Sequence, residues 1–498
     1  MKRAFLFAIA LFATLSARPS AQPAKGSDPG SGPQVVHVLN RLGFGPRPGD
    51  IERVQKLGIE RYIDQQLHPE RIDDAGMQAR LQGLTTVGLS SSEIQDRFER
   101  PVIEARQQRK QNDGEPPPEM RALQQKAQSV ILELGEQKLL RAVYSERQLQ
   151  EVLADFWFNH FNVDARKGRD RGFITEYERE AIRPHVFGKF RDLLGATAKS
   201  PAMLFYLDNW LSADPNGPHP EKGSGVVFRR RPRASFGPIR PQNPSRLLLP
   251  PLSPPQLQGQ KMRRGLNENY GRELMELHTL GVDGGYTQKD VTEVARAFTG
   301  WTIENPRMGG GFVFEPRIHD PGEKVVLGHV IKAGGGQSDG EQVLDILAKH
   351  PSTARFVATK LVRHFVSDNP PPALVDRVAA RFRQTDGDLR EVVRTILTSP
   401  EFFSPDARGA KVKTPFEFVA SALRTTGVEV DDATMYVRGL QQLGMPLYMC
   451  QPPTGYADTA DAWVNTGALV NRMNFALRLA RNDRDQALVI GGPEFQRK

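Results

Sequence analysis

Leu266-Asn-Glu-Asn-Tyr-Gly-Arg-Glu-Leu-Met-Glu-Leu-His-Thr-Leu-Gly281 is the most chemically loaded stretch of the sequence, and its reading decides the fold. At 100° per residue Leu266, Tyr270, Leu274 and Leu277 form one apolar stripe. The segment is therefore predicted to be an amphipathic helix lying on a core, with Gly281 as its stop. On one flank Asn269, Glu273 and Glu276 share a ridge through i+4 and i+3 steps, and on the other lie Asn267 and His278. Carboxylates that border a buried face are partly desolvated, which raises their pKa and suits them to proton transfer or cation binding. The same residues allow a structural reading, in which Arg272 pairs with Glu276 and Glu268 while Glu273 meets an arginine of another helix.

Working outward, the helical signature recurs. Residues 341–349, 352–365, 373–384, 389–398, 415–425 and 462–481 all read as helices, and no fixed period makes them a repeat array. Start signals are abundant: Asp50 with Arg53, Ser200 before Pro201, and capping boxes at Ser145/Gln148, Thr175/Glu178, Thr287/Asp290, Ser338/Glu341 and Thr414/Glu417. The helix opened at Ser145 puts Leu149, Val152, Leu153, Phe156 and Trp157 on one side with His160 in the same stripe. A buried histidine must satisfy both ring nitrogens, through hydrogen bonds or a metal, so Asn159-His160 is a candidate ligand or base, the other reading being that His160 is a satisfied core residue. Residues 92–141 read as a helical hairpin with a polar tip at Pro116-Pro-Pro118. Phe312-Val-Phe-Glu and Lys324-Val-Val-Leu, joined through Asp320-Pro-Gly322, read as one small β-hairpin.

The sharpest composition break is residues 212–260, crowded with Pro and Gly and carrying Arg229-Arg-Arg231, Arg233, Arg240 and Arg246. It divides a helical region at 34–211 from another at 261–498. Met1-Lys-Arg followed by an apolar run from Ala4 to Leu15 has the form of a secretory signal peptide over residues 1–21. Residues 22–33 would then be a flexible leader and the destination periplasmic or extracellular. No later stretch approaches about 18 uninterrupted apolar residues, so no membrane span is expected in the mature chain. A hydrophobic content of 39% with 25% charged residues excludes wholesale disorder. The formal charge of +9 includes Lys2 and Arg3 of the signal, and export argues against a nucleic-acid partner. Cys450 stands alone, so no intramolecular disulfide staples the fold.

Several further segments carry a resemblance: His37-Val-Leu-Asn-Arg-Leu-Gly-Phe-Gly45, Phe156-Trp-Phe-Asn-His-Phe161, Glu178-Arg-Glu-Ala-Ile-Arg-Pro-His185, Tyr206-Leu-Asp-Asn209, Pro351-Ser-Thr-Ala-Arg-Phe356, Pro415-Phe-Glu-Phe418 and Pro452-Pro-Thr-Gly-Tyr456. With the opening stretch and Gly285-Tyr-Thr-Gln-Lys-Asp-Val-Thr-Glu-Val-Ala-Arg-Ala-Phe-Thr-Gly-Trp301, the chain resembles the exported bacterial family known as Domain of Unknown Function eighteen hundred. The likeness covers nearly the whole mature chain. It implies a mostly helical exported protein, often encoded beside an exported partner that looks like the sulfatase and phosphatase superfamily, and it implies no particular reaction.

The sequence has no H-E-x-x-H, no paired Glu-x-x-His, no cysteine cluster, no P-loop and no dinucleotide fingerprint. Gly336-Gln-Ser-Asp-Gly340 matches G-x-S-x-G but lacks the surrounding βαβ units that such an elbow needs. The expected fold is mainly α, a large multi-helix bundle or array with one β-hairpin element and a long Pro/Gly/Arg-rich loop. The expected site lies where the 146–162 helix meets the 267–280 helix. There Glu273 and Glu276 would act as an acid/base pair or as ligands of a divalent metal, and His160 or His278 as base or ligand. Arg183 or Arg272 would steer an anionic group, with Asn269 beside the substrate. One reading is thus an exported enzyme with a carboxylate/histidine site; the other is a non-catalytic binding or assembly protein that supports an exported partner.

Overall fold

The computed structural model describes residues 31–111, 119–217, 265–480 and 484–498. The signal-peptide expectation, the tip at Pro116-Pro-Pro118 and nearly all of the 212–260 loop fall outside these residues. The architecture is mainly α, as the periodicity predicts, with helices from Gly32–Arg41 to Arg484–Gly491. One buried cluster draws residues from both sides of the 212–260 segment, from Val35 and Trp157 to Leu361, Phe418 and Ile490. The 25-residue helix Met120–Tyr144 runs through it, packing on Gln148–His160, Pro415–Thr426 and Thr434–Gln442.

The β content differs from the single hairpin expected. Phe312–Phe314 pairs antiparallel with Trp301–Ile303, and Lys324–Val326 pairs with His329–Ile331, giving two separate two-stranded sheets. Both predicted strands exist, but each takes a nearer partner. Leu327 at φ 49° and Gly328 at φ 81° close the second pair with two left-handed residues, the geometry of a tight hairpin turn. Trp301, fully buried, anchors the first pair to the helical core.

Caps were partly legible. Thr287/Asp290 and Thr414/Glu417 form reciprocal capping boxes, and the Ser200 hydroxyl accepts from the Ala202 amide. The Ser145 box does not form: the helix starts at Gln148, and Ser145 Oγ donates instead to Asp74 Oδ2 at 2.8 Å. Gln148 sends its amide to the carbonyls of Ala142 and Ser145. Thr175 leads into a widened π turn at Tyr177–Ile182, and Ser338 lies inside a helix whose cap is Gly336. Gly49, and not Asp50, caps the second helix. At Ser145 a tertiary hydrogen bond to Asp74 outcompetes the local cap.

The opening stretch forms a helix over Glu268–Glu276, with Asn267 Oδ1 accepting from the Tyr270 amide. Beyond Glu276 the turn widens: the His278 amide bonds Glu273 O at 3.1 Å and the Leu280 amide bonds Met275 O at 2.7 Å. Gly281 then reverses the chain at φ 82°, as expected of a C′ glycine. The widening rotates the last residues, so Leu277 is only half-buried and His278 turns inward. The buried face is Tyr270, Gly271, Leu274 and Met275.

Candidate functional site

His160 is the last residue of the helix Gln148–His160 and is 2% exposed. Its Nε2 lies 3.1 Å from the carbonyl oxygen of His278. A carbonyl only accepts, so Nε2 carries the proton and Nδ1 presents a bare lone pair, which meets no donor among the described residues. Aromatic rings surround the imidazole: Phe161 at 4.5 Å between centroids, Trp157 at 5.3 Å and Phe356 at 6.1 Å. The His278 ring lies 6.3 Å from that of His160 and 5.1 Å from Phe161. The two distant segments therefore do meet, imidazole beside imidazole.

Burial in that apolar cage holds both rings neutral. His160 is pushed well below the usual histidine range and His278 down to about 3, with the Lys360 ammonium adding to burial in each case. Lys360, lodged over the Phe356 ring at 5.8 Å, is itself lowered by burial.

Glu273 and Glu276 stand apart from this pair. Neither carboxylate hydrogen-bonds to an imidazole, and the ionic charge acting on both rings is that of Lys360. Glu273 is half-buried, and its carboxylate has no hydrogen bond or ion pair among the described residues; burial, then the neighbouring Glu276, raises its pKa. Glu276 accepts from the Tyr286 hydroxyl at 3.2 Å. Arg272 does not pair with Glu268 or Glu276. Its Nη2 donates to Gln288 Oε1 at 2.7 Å, while Glu268 accepts from Gln288 Nε2 and Thr292 Oγ1. Asn269 is exposed.

Arg183 is not available to steer an anion. Its guanidinium grips Glu151 through two bonds of 2.9 and 2.6 Å, with Glu178 at 3.7 Å, and the Tyr448 hydroxyl donates to Glu178. Glu151 is buried, so an unpaired carboxylate there would be costly, and the arginine is committed to it. Among the described residues no three His, Cys, Asp or Glu side chains converge at a spacing that could hold a metal ion. The residues expected to ligate a divalent metal therefore do not fit one as a set.

Of the polar groups that tie this region together, Asn159 stands beside His160 in the pair expected to serve as ligand or base, whereas Asn162 and the Tyr206 hydroxyl were not singled out by the sequence. Asn159 exchanges two hydrogen bonds with the Tyr456 main chain, at 2.8 and 2.7 Å. Asn162 Nδ2 donates to the carbonyls of Cys450 and Pro452, and the Tyr206 hydroxyl donates to that of Gln451. Gly455, at φ 74°, lies so close that a Cβ would sit 2.2 Å from Asn159 O. The available signal was the placement of asparagines within apolar runs, since an amide there must find main-chain partners. Cys450 is buried in the same loop with its thiol pushed up to about 11 by burial, which suits packing and not nucleophilic chemistry. Asp170, wholly buried, has neither carboxylate oxygen hydrogen-bonded among the described residues.

The family model described as protein of unknown function (DUF1800) matches residues 37–494. No curated protein and no solved structure matches the chain.

Proposed function

The chain belongs to the DUF1800 family, and from that premise we propose that it is a non-catalytic binding or assembly protein of the exported compartment. On this reading the contact of His160, at the end of Gln148–His160, with His278, just past Glu268–Glu276, is a structural joint. One observation carries it: His160, Asn159, Asn162 and Tyr206 direct polar atoms to main-chain carbonyls of distant segments. An imidazole whose conjugate acid has a pKa near 3 is also a poor general base at neutral pH, because bases work best with a pKa near the working pH. The partner this reading takes is the exported sulfatase- or phosphatase-like protein expected from the family resemblance.

Glu273 favours a second reading. A half-buried carboxylate with a raised pKa and no partner among the described residues is the form a general acid or a cation-binding group takes. The double variant Glu273→Gln/Glu276→Gln of the full chain separates the two. The joint reading expects it to fold with thermal stability equal to or slightly above the parent, with the same metal content and the same co-purification with the exported partner. Stoichiometric metal in the parent that is lost from the folded variant would overturn that reading and establish the carboxylate one. His160→Ala, by contrast, is expected to lower stability by about 2–4 kcal/mol through the cavity and the orphaned His278 carbonyl, measured by denaturant titration.

A further inference from the structure

The helix Pro372–Gln384 packs on Leu389–Leu397, and a groove of about 490 Å³ opens along the pair. That volume is within the range of small-molecule sites. Arg377 and Arg381, one turn apart, line it from the first helix. Glu391, Arg394, Thr395 and Thr398 line it from the second, at the i, i+3, i+4 and i+7 positions of one face, and Glu401 follows them. Pro400 is the apolar member of an otherwise polar lining.

The charged side chains hold one another in place. Nη2 of Arg377 donates to Glu401 Oε2 at 2.6 Å, and Nη2 of Arg381 donates to Glu391 Oε2. Nη1 of Arg394 donates at 3.0 Å to Asp64, from the helix Ile59–Leu67, while its Nε lies 3.4 Å from the other oxygen of Glu391. A guanidinium carries five N–H groups, and each of these three spends one in a hydrogen bond among the described residues, so donors remain on all of them. The threonines offer the complement. Thr395 Oγ1 donates its proton to Glu391 O at 2.8 Å and Thr398 Oγ1 donates to Arg394 O at 2.9 Å, which leaves both oxygens with lone pairs alone to present. The lining thus combines N–H donors with hydroxyl acceptors, and sets three guanidiniums against the two carboxylates of Glu391 and Glu401. A bare anion would use the arginines and leave the threonine oxygens facing its own charge. A neutral polyol would leave the cationic excess unmet.

We propose that this groove binds a sugar acid, a single carboxylate carried on a polyhydroxyl ring. The carboxylate accepts from Arg377 and Arg381 in charge-assisted hydrogen bonds, and the ring hydroxyls accept from Arg394 and donate to Thr395 and Thr398. Because the guanidiniums are already held by carboxylates, little side-chain freedom is lost on binding. A free monosaccharide acid and one unit of an acidic polysaccharide present this same chemistry. The site shares no residue with the His160–His278 contact and does not rest on how that contact is read.

The test is saturation-transfer NMR of the full chain titrated with galacturonate, with trigalacturonate as the polymer arm. Galactose lacks the carboxylate and acetate lacks the hydroxyls. The expected result is a saturable signal with galacturonate or trigalacturonate, and binding of galactose and acetate weaker by about tenfold or more, the cost of losing the hydrogen bonds to one half of the ligand. Binding of the monomer identifies the free acid as sufficient, and binding of the trimer alone identifies the polysaccharide. Arg377→Gln/Arg381→Gln should lose the signal while keeping the parent's fold, since exposed ion pairs contribute little to stability. Arg317→Gln, which breaks an exposed pair with Glu315 elsewhere, should leave the signal unchanged. Should the double variant fail to fold, Thr398→Val, which keeps the shape and removes the acceptor, must weaken binding. No signal with either acid sugar, equal binding of galactose or acetate, or a signal undiminished in the folded double variant or in Thr398→Val would overturn the proposal.

Discussion

Asp170 stands in the short turn Asp170–Gly172 with none of its surface exposed, and neither oxygen meets a donor among the described residues. Burial lifts its pKa well above the usual carboxylate range, opposed by Lys167 and aided by Asp208 and Asp164. The folded state therefore holds the proton more tightly than the unfolded chain does. Stability from this group is fully present below the unfolded pKa near 4 and is lost as pH rises toward the folded value. Asp170→Asn keeps the shape and removes the titration. The variant should gain on the parent as pH rises from 4, by up to about 1.4 kcal/mol per pH unit, in urea titrations run at several pH values. A difference that stays constant with pH would show that Asp170 is ionised in the folded protein. Sequence alone could not flag it, because Arg169-Asp-Arg171 reads as a solvated charge run and its burial comes from packing.

At the scale of elements, Gly271 shows how a close crossing reverses a rule. In an exposed helix interior Gly→Ala stabilises by about 1 kcal/mol. Here a Cβ would lie 2.8 Å from Val291 O and 3.3 Å from the Ala295 amide, both backbone atoms of the helix Gln288–Ala297. Gly271→Ala is expected to destabilise by about 1–3 kcal/mol, read from the denaturant midpoint, because the two helices must separate to admit a methyl group. The amphipathic stripe made the helix itself legible, yet the contact that fixes its crossing is made by the residue with no side chain to count. The strands behaved similarly. Phe312–Phe314 and Lys324–Val326 were readable from composition, and Gly300-Trp301-Thr-Ile reads as extended, but the pairing with Trp301–Ile303 and His329–Ile331 was not readable, since three-residue strands carry too little pattern to name a partner.

Across the whole molecule, the helical class followed from periodicity, and the contact of His160, at the end of Gln148–His160, with His278, just past Glu268–Glu276, followed from placing His160 in an apolar stripe. Periodicity could not supply the widened turn after Glu276, which brings His278 inward, or the lack of a hydrogen bond between either glutamate carboxylate and an imidazole among the described residues. Burial of histidines has a collective consequence. His37 is pushed down to about 4 by burial and then by Arg41, His278 to about 3, and His160 and His364 well below their usual range. Each is neutral when folded, whereas in the unfolded chain each takes a proton near pH 6.5. As pH falls below 6.5 the unfolded state binds protons that the folded state refuses, so stability drops by up to about 1.4 kcal/mol per pH unit for each ring. The window closes at about pH 4 for His37 and about pH 3 for His278, where the folded rings also protonate. Four such rings give a combined slope of up to about 5 kcal/mol per unit between pH 6 and 4.5, steep enough to unfold a domain of ordinary stability before its carboxylates are neutralised. Unfolding free energies from urea titrations at pH 7, 6 and 5 should show this slope, and His160→Gln should flatten it by about one ring's share. A parent whose stability is level from pH 7 to 5 would mean that these imidazoles reach water, and the reading of the His160–His278 contact as a dry structural joint would fail with it.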